Sequence, residues 1–174
     1  MSISTKTGDN GQTNLWSGER IAKNSPRVEA YGSIDELNSS LAEAKHLAKS
    51  DKIKQLLIEI QNDLFRVTGA LASHGDFKYP ITDADVERIT SYVHDFEKEV
   101  PLTGFVIPGS TWPSAKLDTC RTIARRAERR TLSLAEKEEV PIPVIKYINR
   151  LSDLLYMMAR FEEKIENKLT FKIW

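Results

Sequence analysis

A chain of 174 residues suits one domain that buries about 70 % of the surface its unfolded form would expose, and it is short for two such cores. Its 25 basic residues equal its 25 acidic ones, which excludes a whole-molecule field drawing it to nucleic acid or an anionic membrane, so any anion site has to be local. The single cysteine, Cys120, excludes an internal disulfide, and the opening MSISTKTGDNGQT lacks the apolar core of a signal peptide. No run approaches the roughly 18 apolar residues of a membrane span, so the expectation is a cytoplasmic protein without membrane contact.

Residues 1–25 carry Gly, Thr, Asn and Ser without periodicity and read as an ordered loop or arm. Pro26 suits an early helix position, and Ala30, Ile34, Leu37, Leu41, Ala44 and Ala48 then recur every three or four residues, which predicts the first long helix. Ser50 or Asp51 caps a second, striped by Ile53, Leu57, Ile60, Leu64, Val67 and Leu71 and closing near His74 and Gly75. A third, shorter and more polar, starts at Thr82 or Asp83 and ends before Pro101. The segment Phe105 to Pro113 reads as a connector. The fourth helix runs from about Ser114 to Glu139 with the stripe Leu117, Cys120, Ala124, Ala127, Thr131 and Leu134, whose small residues suit close packing. The fifth starts around Pro143 and presents Tyr147, Leu151, Leu154, Met158, Phe161 and Ile165. With no convincing strand, these elements predict an all-α, up-and-down five-helix bundle over residues 26–168 of a single domain.

The fourth helix is the richest in chemistry. Arg121, Arg125, Glu128 and Arg129 share a face beside the apolar stripe, and with Arg126 and Arg130 they leave Glu128 alone against five arginines. Like charges at such spacings each cost roughly 0.2–0.5 kcal/mol, a cost an anion would relieve. The run is either a solvated basic face or a phosphate clamp, because guanidinium groups offer rigid bidentate donors to polyphosphate oxygens. The segment from Thr5 to Asn14 is a second candidate, since Gly8 and Gly11 let backbone N–H groups approach an anion while Lys6 and the hydroxyls add donors. It lacks the order of a Walker A loop and reads otherwise as a plain terminus. On the first helix Asp35 and Asn38 lie one turn apart beside the stripe, where a carboxylate suits an arginine from another helix or subunit. On the fifth, Asn149, Asp153 and Tyr156 form a polar patch that fits a hydrogen-bond network or a ligand site equally well.

Other chemistries are set aside. One E-x-x-H match, Glu43 to His46, falls short of the pair a di-iron bundle needs, and His46, His74 and His94 are too dispersed for a zinc site. No G-x-S-x-G elbow is present.

Taken in order, TKTGDNGQT, SGER with Lys23, PRVEAYGSIDELNSSL, FVIPGS, CRTIARRAERR and YINRLSDLLYMMAR resemble the PduO-type ATP:corrinoid adenosyltransferases from about Thr5 to Arg160. The resemblance implies a homotrimer of five-helix bundles with active sites between subunits. It implies transfer of the 5′-deoxyadenosyl group of ATP to corrinoid cobalt(I), with Mg²⁺ beside the triphosphate, cobalamin or another corrinoid as acceptor, and a flavin-type reductase as a fitting electron donor. By motif, Thr5, Lys6, Thr7, Gly8, Thr13, Asn14 and Lys23 would enclose the ATP phosphates. Arg125, Arg126, Glu128 and Arg129 of a neighbouring subunit would join them, with Asn149 close to the nucleotide. Asp35 would pair across the interface with Arg121. Phe105 would press on the lower corrin face and keep an axial ligand off cobalt, and Tyr156 would share that hydrophobic wall. The chain departs from the family pattern at Gly109-Ser110 and at Lys116-Leu117-Asp118, and no role is implied for Phe171 or Trp174. The rival from another class is a non-catalytic helical module, a nucleotide sensor or scaffold, that uses the arginine run as a docking patch.

Overall fold

The computed structural model describes Ser4 and residues 6–174. The five expected helices form as α1 (Pro26–Leu47), α2 (Asp51–Leu71), α3 (Asp83–Glu99), α4 (Trp112–Ala135) and α5 (Ile142–Ile165). Ser25 caps α1 by accepting a hydrogen bond from the Val28 amide at 3.3 Å, and Pro26 follows at a position where its missing N–H costs nothing. Thr82 with Asp85, and Thr111 with Ser114, close reciprocal capping boxes on α3 and α4. The α4 box moves the helix start two residues ahead of the expected Ser114, so Pro113 lies in the first turn and not in the connector. Its carboxyl end also comes early, at Ala135 in place of Glu139.

Ion pairs fix the direction of each helix. Glu29 and Glu36 of α1 meet Arg130 and Arg126 of α4, so these two run antiparallel. Asp83 of α3 meets Lys146 of α5, and the Glu99 carbonyl accepts from Lys164, so those two run parallel. The helices alternate up and down along the chain, but their spatial order is α2, α1, α4, α5, α3, with α4 wedged between α1 and α5.

The interior is apolar, from Ile34, Leu37 and Leu41 on α1 through Leu57, Ile60 and Leu64 on α2 to Leu151, Leu154 and Met158 on α5. Where α2, α3 and α5 meet, Asp63 takes a 2.8 Å hydrogen bond from the Tyr147 phenol and ion pairs from Arg66 and Arg88. Burial, reinforced by Asp63, pushes the Tyr147 phenol well above its ordinary pKa, so it stays a proton donor there. The Arg66 guanidinium holds the Asp85 carboxyl well below the usual carboxylate range.

Two features depart from the sequence expectation. Gln12–Asn14 (β1) and Arg20–Ala22 (β2) pair as an antiparallel ribbon with Thr13 opposite Ile21, in a stretch expected to hold no strand. Three residues per strand are too few for a period of two to register. The ribbon docks on the bundle through the Trp16 amide, which donates to the Ala72 carbonyl at 2.8 Å, and through a T-shaped Trp16–Phe77 contact. The segment after α5 also returns along the connector: the Ile107 amide donates to Thr170 and the Lys172 amide to Phe105, at 2.9 and 2.8 Å, around a Val106–Phe171 bridge.

Gly69 of α2 is needed for the first of these dockings, because a Cβ there would lie 2.2 Å from the Phe77 ring. Alanine gains about 1 kcal/mol of helix propensity over glycine but forces Phe77 off Trp16, and overpacking costs typically 1–3 kcal/mol. Gly69→Ala is therefore expected to lower stability by about 1 kcal/mol in chemical denaturation and to shift Trp16 fluorescence; a stabilised variant would refute the close approach.

Candidate active site

The N-terminal loop is held by its own hydrogen bonds. Lys6 adopts a positive φ of 57°, the Asp9 amide donates to its carbonyl at 3.3 Å, and the Gly11 amide donates to Gly8 at 3.2 Å. Lys23 folds back over Gly8, its Nζ 2.9 Å from where a Cβ on that glycine would lie. The guanidinium of Arg20 lies across the loop and donates to Gln12, Asn14, the Thr7 carbonyl and Asn10 at 3.1, 3.2, 2.9 and 3.3 Å. Thr13 hydrogen-bonds Tyr31, whose phenol burial raises above its ordinary pKa. Thr5 lies outside the described residues.

The structure divides the arginine run of α4. Arg126 pairs with Glu36 and Arg130 with Glu29, both across to α1, while Arg121 pairs with Asp118 on its own helix. Glu128 therefore does not face five arginines alone, as the linear pattern suggested; it accepts a 2.8 Å hydrogen bond from the Asn149 amide of α5. Among the described residues Arg125 and Arg129 have neither an ion-pair nor a hydrogen-bond partner, and both are exposed. Arg125 lines a groove of about 830 Å³ between α3, α4 and α5, together with Arg121, Arg150, Asp153 and Tyr156.

Several expected partners do not meet within the chain. Among the described residues the exposed Asp35 has no ion pair, and no hydrogen bond or ion pair joins residues 8–23 of the loop to Arg125 or Arg129. Phe105 is 73 % exposed and packs edge-on against Trp174 at 6.3 Å. Tyr156 does not join it on an apolar wall: its ring faces the guanidinium carbons of Arg160 at 4.9 Å and Arg121 at 6.0 Å.

These groups bind anions more readily than they perform acid–base or nucleophilic work. Burial pushes the Cys120 thiol up to about 12, which leaves it a neutral core side chain at physiological pH. No cluster of three or more His, Cys, Asp or Glu side chains suited to a metal occurs among the described residues. Among the described residues no helix is long and apolar enough to cross a membrane.

The family model described as cobalamin adenosyltransferase matches residues 3–162. The chain belongs to that family. Among curated relatives, the corrinoid adenosyltransferase PduO of Citrobacter freundii is 40 % identical over 168 residues, 94 % of this chain and 50 % of the relative. This chain thus spans about half the length of that protein and of the similar Salmonella typhimurium one. A Bacillus subtilis corrinoid adenosyltransferase is 41 % identical over 92 % of this chain and 86 % of its own length. Among solved structures, a variant PduO-type ATP:corrinoid adenosyltransferase from Lactobacillus reuteri, complexed with cobalamin and ATP, superposes with a TM-score of 0.92 at 34 % identity, covering 99 % of both chains.

In this cobalamin adenosyltransferase family member, the side chains that organise the candidate site include several that sequence reasoning passed over. Arg20 stands inside SGER, a segment that carries the family resemblance but in which no role is given to Arg20. Asp118 was noted as a departure, and Arg160 closes the last matched motif, yet neither carries a linear sign that the two would meet. Trp174 carries no periodic signal, and the pairing of residues 170–172 with residues 105–107 brings it to Phe105.

Proposed function

We propose that the protein transfers the 5′-deoxyadenosyl group of ATP to the cobalt(I) of cobalamin or another corrinoid and releases triphosphate. The observation that carries this reading is the division of the arginine run: three arginines have acidic partners, while Arg125 and Arg129 keep unpaired guanidinium groups, Arg125 at the mouth of a groove. The substrate cobalt attacks the ribose C5′, the cobalt–carbon bond forms with the metal's electron pair, and the C5′–oxygen bond breaks with its pair leaving on the triphosphate. No proton is moved, so the step asks for no general base. The protein's work is to align C5′ and to meet the charge that grows on the leaving oxygens with donors already in place.

Lys6, Thr7, Gly8, Thr13, Asn14 and Lys23 would enclose the phosphates, and Arg125, Arg126, Glu128 and Arg129 with Asn149 would complete the nucleotide site from a neighbouring subunit. A homotrimer suits this chain because, among the described residues of one copy, no ion pair joins Asp35 to Arg121 and no hydrogen bond joins residues 8–23 of the loop to Arg125. Arg126 would have to exchange Glu36 for phosphate. No acidic cluster offers Mg²⁺ a cage, so the ion would travel on triphosphate oxygens and water, and no step is assigned to it. Phe105, exposed and without a lone pair, would shield the lower axial position of cobalt(II) and ease its reduction by a flavin-type reductase in the cytoplasm.

The deciding assay mixes the protein anaerobically with ATP, Mg²⁺ and chemically reduced cobalamin. Adenosylcobalamin should accumulate with one triphosphate per turnover; a folded sample yielding none would favour a nucleotide-sensing or scaffold module. Phe105→Ala should keep the ATP dissociation constant but slow turnover from cobalt(II) about tenfold or more, a barrier increase of ~1.4 kcal/mol. Unchanged cobalt(II) spectra and rates in that variant would remove Phe105 from the mechanism.

A further inference from the structure

Beneath the groove lies a cluster of buried charge that the proposed chemistry leaves unused. Arg160 of α5 is fully buried, and its neighbours are Asp118 of α4 and Glu163 one turn along α5. The Asp118 carboxylate is divided between two arginines: Oδ2 accepts from Arg160 Nη2, and Oδ1 accepts from Arg121 Nε at 3.2 Å. Glu163 takes the Nε of Arg160 as an ion pair at 2.9 Å through Oε2, and its Oε1 accepts the Ser110 amide at 3.2 Å, at the end of the FVIPGS segment. The Tyr156 ring lies against both guanidinium groups, 4.9 Å from Arg160 and 6.0 Å from Arg121.

This geometry leaves Asp118 little freedom. A carboxylate held on one oxygen by a buried arginine cannot follow a surface arginine as it moves, so it acts as a fixed post. Arg121 attaches to that post by Nε, the nitrogen nearest its own stem. Its terminal Nη atoms make no hydrogen bond among the described residues. A guanidinium held in this way presents a two-pronged donor in one orientation, so less side-chain entropy is lost when a carboxylate or phosphate arrives.

We propose that Asp118, clamped by Arg160, is a positioning residue that presets Arg121 for the Asp35 carboxylate of the neighbouring subunit. The idea rests on the adenosyltransferase reading for its kinetic consequence and on geometry alone for the clamp. Arg160 also reaches the FVIPGS segment through Glu163, so one buried side chain braces both Arg121 and the loop that carries Phe105.

The test is a double-mutant cycle. Asp118→Asn keeps the shape of the side chain and one carbonyl oxygen while removing the charge. It should lower kcat/KM for ATP about tenfold with the folded fraction unchanged, and add less than about twofold to the loss in an Arg121→Ala protein, because its effect passes through Arg121. The same cycle read on the ATP dissociation constant by calorimetry serves if Arg121→Ala turns over below detection. Equal losses in both backgrounds, or none in either, would overturn the proposal. A wild-type protein that binds ATP but makes no adenosylcobalamin would refute the enzymatic reading instead, and the calorimetric cycle would still report on Asp118.

Discussion

Arg125→Ala is expected to lower kcat/KM for ATP by about two to three orders of magnitude, the usual cost of removing one preorganised donor to developing oxyanion charge. Its stability should stay within about 0.5 kcal/mol of the wild type, because the side chain is exposed and holds no partner in the fold. That combination separates a ligand clamp from a structural ion pair. Arg125→Lys should recover little, since an ammonium keeps the charge but loses the planar pair of donors. Arg130→Ala is the natural control: its 3.3 Å pair with Glu29 is half exposed at both ends, so its loss should leave turnover near the wild-type rate. Steady-state kinetics with a thermal scan on each variant checks all three, and an Arg125→Ala enzyme of normal activity would end the phosphate-clamp assignment.

The second large effect is on stability. Arg160→Met fills much of the same volume but leaves the buried Glu163 without its cation and Asp118 with Arg121 alone, and breaking a buried ion pair from one side costs about 3–5 kcal/mol. For a chain of this length that corresponds to a melting temperature lower by roughly 6–20 °C at fixed protein concentration. Replacing Arg160, Asp118 and Glu163 together by apolar residues should recover most of the loss, because the penalty arises from uncompensated charge and not from a missing contact. Arg160→Met melting within about 2 °C of the wild type would mean that water reaches the cluster and that the clamp on Asp118 is weak.

Much of the bundle was legible in the linear pattern. Stripes on α1, α2 and α4 fall on buried residues, whereas that on α5 is buried only as far as Met158, with Phe161 half-buried and Ile165 exposed near the helix end, and Pro26, Ser50 and Thr82 mark helix starts because capping acts between residues a few positions apart. Pro113 misled for a related reason: it reads as a breaker in isolation, and only the Thr111–Ser114 box shows that it sits in a first turn, where proline is tolerated. The β1–β2 ribbon was invisible because each strand is three residues long and it is tied to the bundle by a distant contact, the Trp16 amide on the Ala72 carbonyl at the end of α2.

By itself, the sequence determined that this protein has five helices, a basic stripe on the fourth and a glycine-bearing loop at its start, since propensity, capping and periodicity act over a few residues. Which arginines are free to hold an anion was decided only by the tertiary structure. Arg126 meets Glu36 across 90 positions of chain, Asn149 meets Glu128 across 21 and Arg160 meets Asp118 across 42. Such pairings follow from the way α4 lies between α1 and α5, and no local pattern encodes them. Five arginines that look alike in sequence thus become three anchors and two unpaired groups, because each is defined by the helix it faces.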